Sequence, residues 1–168
     1  PNTLAIHGAA GRMGKRLIAL GSQDQNFTIV AAIDNFSHPA IGQDAGVSAG
    51  VDPLGVLLSS AWPNKCDVAI DFSIPAACSA AVRQCHEQRI PLVVATTGLS
   101  EAQTAEIKDA SKDIPLCWAP SMSLAVNLAM KLAQQAAQAL KHVPQGVDVE
   151  IIERHHRFKE DSPSGTAL

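Results

Sequence analysis

What the sequence lacks narrows it first. Its four cysteines, Cys66, Cys78, Cys85 and Cys117, form no C-x-x-C pair. That spacing argues against a zinc knuckle, a redox dithiol or a disulfide framework, and points to core thiols in a reducing cytosol. Lys and Arg form no dense run and the formal net charge is −3, so nucleic acid and anionic membrane are not the expected partners. No apolar run reaches the ~18 residues that a membrane span requires. The opening stretch PNTLAIHGAAG has no basic n-region and enters a strand-like run at once, unlike a secretory signal. There is no GxSxG elbow for a serine hydrolase, and no third ligand at zinc spacing beside the adjacent histidines near the end. The expectation is a cytoplasmic globular protein without a bound metal.

What is present fits that class. The chain has 168 residues, 46% apolar and 17% charged, enough for one full domain and part of a second. Apolar strand-like segments alternate with helical ones. Strands are expected at Asn2–His7, Phe27–Ile33, Asp67–Phe72, Pro91–Ala95, Pro115–Trp118 and Val147–Ile152. Helices are expected at Arg12–Ser22, from Pro75 to about Gln88, at Ser100–Ser111 with Ser100 as N-cap, and at Ser123–His142. Residues 35–64 read as a looser Gly-, Ser- and Pro-rich stretch holding one short element. Cys78 and Cys85 share one helix face, and Leu124, Leu128, Leu132, Ala136 and Leu140 recur every fourth residue as an apolar stripe. Nearly all-apolar strands separated by helices imply a parallel sheet covered on both faces. The expected fold is therefore α/β: a Rossmann-type doubly wound sheet over residues 1–122, followed by the beginning of an α+β substrate domain over 123–168.

GAAGRMG, Gly8 to Gly14, follows a strand and opens a helix, the context in which glycines let the backbone approach a pyrophosphate. Its spacing is GxxGxxG, so a plain glycine-rich turn stays open as an alternative. Asp34 ends the second strand twenty residues after Gly14, where a carboxylate accepts hydrogen bonds from an adenosine ribose. No Lys or Arg lies between Arg16 and Lys65, so a 2′-phosphate would meet Asp34 with no local cation. NADH is thus expected to be preferred over NADPH, with Arg12 the one nearby group able to weaken that preference. Three further turns, at Asp71-Phe72-Ser73, Thr96-Thr97-Gly98 and Ala119-Pro120-Ser121-Met122, fall where open sheets bind ligands.

The final stretch, ERHHRFKEDSPSGTAL, crowds His155, His156 and Lys159 against Ser164-Gly165-Thr166. Histidine suits proton transfer near neutral pH, and a Ser-Gly-Thr helix entry offers amides and hydroxyls to a carboxylate. An ordinary polar loop is the bland alternative.

GAAGRMG, the TTG turn, APSMSLAVN (Ala119–Asn127) and above all HHRFKEDSPSGTAL resemble the 4-hydroxy-tetrahydrodipicolinate reductase family of the diaminopimelate route to lysine. The resemblance implies an N-terminal Rossmann domain, a C-terminal substrate domain and a homotetramer. It implies His155 as acid/base and Lys159 as proton donor, with His156, Lys159, Ser164, Gly165 and Thr166 holding the substrate's carboxylates. It places the pyrophosphate on Gly8, Ala9, Ala10, Gly11, Arg12 and Met13, and the ribose on Asp34. The nicotinamide side falls to Ala95, Thr96 and Thr97 and to Ala119, Pro120, Ser121 and Met122. Asn35 stands where many relatives carry Arg, in line with NADH. The family continues well past PSGTAL, so a truncated chain is expected. The competing readings are another Rossmann oxidoreductase acting on a small acid and a non-catalytic NAD-binding module.

Overall fold

The computed structural model describes residues 1–119, 121–154 and 157. The chain divides into two compact units, Pro1–Trp118 and Ala119–Leu168, which are taken in turn.

The first unit alternates strand and helix: β1 (Asn2–His7), α1 (Arg12–Gly21), β2 (Phe27–Ile33), α2 (Ala45–Ala49), β3 (Leu58–Ser59), β4 (Val68–Asp71), α3 (Pro75–Gln88), β5 (Leu92–Val94), α4 (Glu101–Ala110) and β6 (Leu116–Trp118). The six strands pair in the order β3-β2-β1-β4-β5-β6, and every ladder is parallel. The chain starts at the centre, winds outward through β2 to β3, then returns to β4 beside β1 and winds the other way. The strand order reverses between β1 and β4, and a doubly wound sheet opens its ligand crevice at such a reversal.

Two-residue periodicity builds the two faces. Leu4 and Ile6 of β1 pack with Ile29 and Ala32 of β2, Ile18 of α1 and Ala45 of α2. The alternate residue Ala5 packs with Ala31, Ile33, Ala69 and Val94, against Cys78, Val82 and Cys85 of α3 and Ile107 of α4. The shared face expected for Cys78 and Cys85 is therefore present. A register shift between Leu4 and Ala5 accommodates one extra β2 residue, Val30, which lies 36% exposed, as the unpaired residue of a bulge does.

Local chemistry sets the helix ends. Pro75 occupies the first turn of α3, where its missing N–H costs nothing. Ser100 and Gln103 form a reciprocal capping box on α4. The loose stretch after β2 holds two short elements, not one. Asp44 accepts from the backbone N–H groups of Gly46, Val47, Leu54 and Gly55. Its carboxylate thus starts α2 and ties the following loop back towards β3.

Two expectations fail in ways that have a physical cause. Cys117 is exposed, not a core thiol, because it sits on the edge strand β6, where only one neighbour covers the chain. In the second unit, α5 (Leu124–Leu140) is present, but residues 147–152 form no strand. Alternation alone does not make a strand: its N–H and C=O groups require a paired neighbour, and among the described residues none pairs with them. Val147, Val149 and Ile151 are accordingly 48%, 73% and 69% exposed. The apolar stripe on α5 is also open, with Leu124 85%, Leu128 57% and Leu132 56% exposed.

Candidate functional site

A cavity of about 400 Å³ opens at the carboxyl ends of β1, β2 and β4, lined among others by His7, Gly8, Asp34, Trp62, Phe72 and Ile74. Its size is ordinary for a small-molecule site, and it lies at the strand-order reversal.

The GAAGRMG turn forms one wall. Gly8 takes φ +77°, a conformation that side chains penalise. A Cβ there would lie 2.6 Å from the Phe72 carbonyl oxygen. The N–H groups of Gly8 and Ala9 both donate to the Ile33 carbonyl, at 2.9 and 3.0 Å, which pins the turn to the end of β2. Gly14 lies against the Gly8 carbonyl oxygen, where a Cβ would fall 2.6 Å from Ala9 Cα. Helix α1 then begins at Arg12 with no side-chain cap and no acidic residue in its first turn. Its free N–H groups and dipole are left for an anion.

Asp34 does more than the sequence reading assigned to it. Its Oδ2 accepts from Ala10 N–H at 2.7 Å and its Oδ1 from Asn35 N–H at 2.8 Å. One carboxylate therefore braces the glycine turn against the loop after β2 while facing the cavity. Spare lone pairs on both oxygens leave it able to accept from ribose hydroxyls as well. In the same loop, His38 lines the cavity and accepts the Ala40 N–H at Nδ1, 3.1 Å away, so its hydrogen sits on Nε2 in the neutral ring.

Behind the cavity lies a buried polar network. Asp71, 0% exposed, accepts from His7 Nδ1 at 2.7 Å, Thr96 Oγ1 at 2.7 Å and Ser73 N–H at 3.3 Å. Burial pushes its carboxyl up, but the hydrogen bonds from His7, Ser73 and Thr96 outweigh this and hold it below the ordinary value. The adjacent Cys78 thiol is pushed up to about 12, first by burial and then by the Asp71 charge. Asp71 thereby joins the tips of β1, β4 and β5. Thr96 and Ala95 are both buried, and Ala95 donates its N–H to the Asp71 carbonyl at 2.9 Å; Thr97 is exposed.

The first unit thus brings together Gly8, Ala9, Ala10, Gly11, Asp34, Ala95 and Thr96 along one sheet edge, with Arg12 and Met13 exposed at the start of α1. Ala119, Ser121 and Met122 belong to the second unit, just before α5. There the Ser121 carbonyl accepts from Asn127 Nδ2 at 3.0 Å. Pro120, His155, His156, Lys159, Ser164, Gly165 and Thr166 lie outside the described residues. His7, His38 and Trp62 were not singled out from the sequence. A signal for His7 existed: a histidine closing an otherwise apolar strand, one residue before the glycine turn. Among the described residues no group of three or more His, Cys, Asp or Glu is arranged to hold a metal.

Comparison with known proteins agrees with this geometry. The family model described as dihydrodipicolinate reductase, N-terminus, matches residues 2–122, and that of the C-terminus matches residues 125–168. A 4-hydroxy-tetrahydrodipicolinate reductase of Rhodopirellula baltica is 55% identical over 100% of this chain and 62% of its own length. One from Alkalilimnicola ehrlichii is 45% identical over 98% of this chain and 62% of its own length. The chain therefore spans under two thirds of the curated relatives it matches. Among solved structures, a dipicolinate-bound dihydrodipicolinate reductase from Paenisporosarcina sp. TG-14 superposes with a TM-score of 0.70 at 26% identity, covering 99% of this chain and 62% of that one. The myo-inositol 2-dehydrogenase of Lactobacillus plantarum, at 16% identity, TM-score 0.56 and coverage of 81% and 42%, shares the fold alone. Fold, glycine turn and sequence agree that this chain belongs to the dihydrodipicolinate reductase family.

Proposed function

We propose that this chain is the dinucleotide-binding part, residues 1–122, and the beginning of the substrate-binding part, residues 123–168, of an enzyme that reduces 4-hydroxy-tetrahydrodipicolinate to tetrahydrodipicolinate with NAD(P)H, NADH being preferred. The observation that carries the reading is the cavity at the strand-order reversal, walled by the Gly8–Gly14 turn and by Asp34, in a chain whose family is that of named reductases. The residues fit a dinucleotide: glycine backbone close enough for a pyrophosphate, an uncapped helix start, and a carboxylate for a ribose.

Gly8, Ala9, Ala10, Gly11, Arg12 and Met13 would hold the pyrophosphate and Asp34 the adenosine ribose. Ala95, Thr96 and Thr97, with Ala119, Pro120, Ser121 and Met122, would lie on the nicotinamide side. When bound, the reduced nicotinamide supplies a hydride. The chain's own groups bind the substrate and handle its proton. The amides and hydroxyls of Ser164, Gly165 and Thr166, with the cations His156 and Lys159, would grip the two carboxylates. As the 4-hydroxyl leaves as water and C4 is reduced, one further proton is required, from the His155 imidazole or from Lys159 Nζ. Asp34 beside Asn35, with no cation in that loop, supports NADH, since a 2′-phosphate would face an uncompensated carboxylate. The Paenisporosarcina relative was solved with dipicolinate bound, which supports a planar ring dicarboxylate as the ligand class. A homotetramer in the cytoplasm is the assembly expected of the whole protein.

The test is calorimetric titration of NADH with and without pyridine-2,6-dicarboxylate. A reductase site predicts that each ligand tightens the other. NADH affinity indifferent to the dicarboxylate would refute the reductase reading in favour of a non-catalytic NAD-binding module.

A further inference from the structure

We propose that His7 is a cofactor-binding residue whose Nε2 donates to a phosphate oxygen of the bound dinucleotide, and whose imidazole takes up one proton from solvent as that bond forms. The inference rests on the dinucleotide reading of the cavity.

His7 is the last residue of β1 and is only 9% exposed, in a strand whose buried neighbours are Leu4, Ala5 and Ile6. A polar ring in that setting requires partners, and it has one on a single edge. Its Nδ1 lies 2.7 Å from Asp71 Oδ1. The other groups on Asp71, the Thr96 hydroxyl and the Ser73 N–H, are both positioned as donors to an ionised carboxylate. Nδ1 must therefore carry a hydrogen, which leaves Nε2 as the free nitrogen. Trp62 covers the ring, with centroids 5.4 Å apart and planes inclined by 40°. Among the described residues no group hydrogen-bonds Nε2, nor is it among the buried polar atoms left without a partner. It therefore meets the cavity, which His7 lines together with Gly8 and Gly11 of the glycine turn.

The chemistry of that edge sets the ligand. In the neutral ring with hydrogen on Nδ1, Nε2 only accepts. A phosphate oxygen also accepts, so the two bond only if Nε2 gains a proton. Phosphate in front and Asp71 behind both favour the resulting cation. The other titratable groups about the ring are Asp34 and His38, which line the same cavity from the end of β2 and its loop, and Cys78 of α3, whose raised thiol stays neutral. His38 is a second imidazole on the same cavity and needs its own control.

The sign follows. His7 gains an anionic partner in the complex, so NADH binding is strengthened at low pH and weakens as pH rises. The experiment is calorimetric titration of the whole chain with NADH, in buffers of different ionisation enthalpy, from about pH 6 to about pH 8. Expected are net proton uptake approaching one at the upper end and an affinity falling by up to about tenfold per pH unit where uptake is full. Adenosine, which has no phosphate, should bind without uptake. His7→Gln should abolish the uptake and the pH dependence, whereas His38→Gln should keep both. An NMR titration of the His7 ring in the unmodified protein reads the same protonation should His7→Gln not fold. NADH binding without proton uptake, or uptake that survives His7→Gln, would overturn the proposal while leaving the dinucleotide site intact. Absence of any NADH binding would overturn the site reading and this inference with it.

Discussion

Two glycines in helix α1 should respond to the same substitution with opposite signs. By helix propensity alone, Gly→Ala inside a helix stabilises by about 1 kcal/mol. Gly21 obeys that rule. A Cβ there would meet Ile29 Cδ1 at 3.5 Å, Ile29 Cγ1 at 3.6 Å and Leu4 Cδ2 at 3.6 Å, ordinary contacts with side chains that can adjust. Gly14 does not. Its Cβ would press on the Gly8 carbonyl oxygen and lie 2.6 Å from Ala9 Cα and 2.8 Å from Ala9 C. All three atoms are backbone, and they belong to a turn already pinned by two hydrogen bonds to Ile33. Overpacking a rigid site costs about 1–3 kcal/mol, occasionally more, and three sub-van-der-Waals backbone contacts place this site at the upper end. Net of propensity, Gly14→Ala should destabilise by about 2 kcal/mol, whereas Gly21→Ala should stabilise by about 0.5–1 kcal/mol. Urea denaturation followed by far-UV circular dichroism measures both, with an unchanged m-value as the check that only stability moved. Because relief at Gly14 must come from the turn, NADH affinity should fall in Gly14→Ala and hold in Gly21→Ala. A Gly14→Ala protein as stable as the parent, with unaltered NADH binding, would refute the close-approach account.

Four other outcomes follow from the site. Asp71 has a folded-state pKa below its ordinary value, so its stabilisation is present above about pH 4 and is lost as pH falls through the folded value. Asp71→Asn should cost about 1.5–3 kcal/mol near neutral pH, the worth of a hydrogen bond to a charged group, and flatten the acid limb of a stability–pH curve; an unchanged acid limb would contradict the buried-anion assignment. Burial pushes the Cys78 and Cys85 thiols up to about 12 and raises Cys66, whereas Cys117 is exposed. A disulfide exchange reagent at about pH 8 should therefore titrate a single fast thiol in the native protein, lost in Cys117→Ser, with the others reacting only in denaturant. Asn35→Arg should raise NADPH affinity relative to NADH, measured as a ratio of dissociation constants; no shift would place recognition of the 2′-phosphate elsewhere, with Arg12 first. In the assembled enzyme, His155→Gln should lower turnover by about 100-fold or more while substrate binding changes little, and intact turnover would remove His155 from proton transfer.

Local chemistry written in the sequence determined much of this protein. Two-residue burial in short apolar strands, Pro75 opening a helix, the Ser100 cap and the Gly8–Gly14 turn each act over a few neighbouring residues, so the alternating strands and helices and the doubly wound architecture were legible without coordinates. Asp34 was legible as a strand-end acid but not as the brace on Ala10. That bond joins the ends of β1 and β2, and only their pairing brings the two groups to 2.7 Å. His7, Asp71 and Thr96 likewise lie far apart in sequence, and parallel ladders set them side by side; no periodicity encodes a contact across 64 residues. The same cause bears on Val147–Ile152, where the alternating pattern reads as a strand but no segment among the described residues pairs with it. Sequence fixes what a segment prefers by itself. Which buried charge meets which partner, and which nitrogen of His7 is left facing the cavity, is decided by the packing of segments distant in the chain.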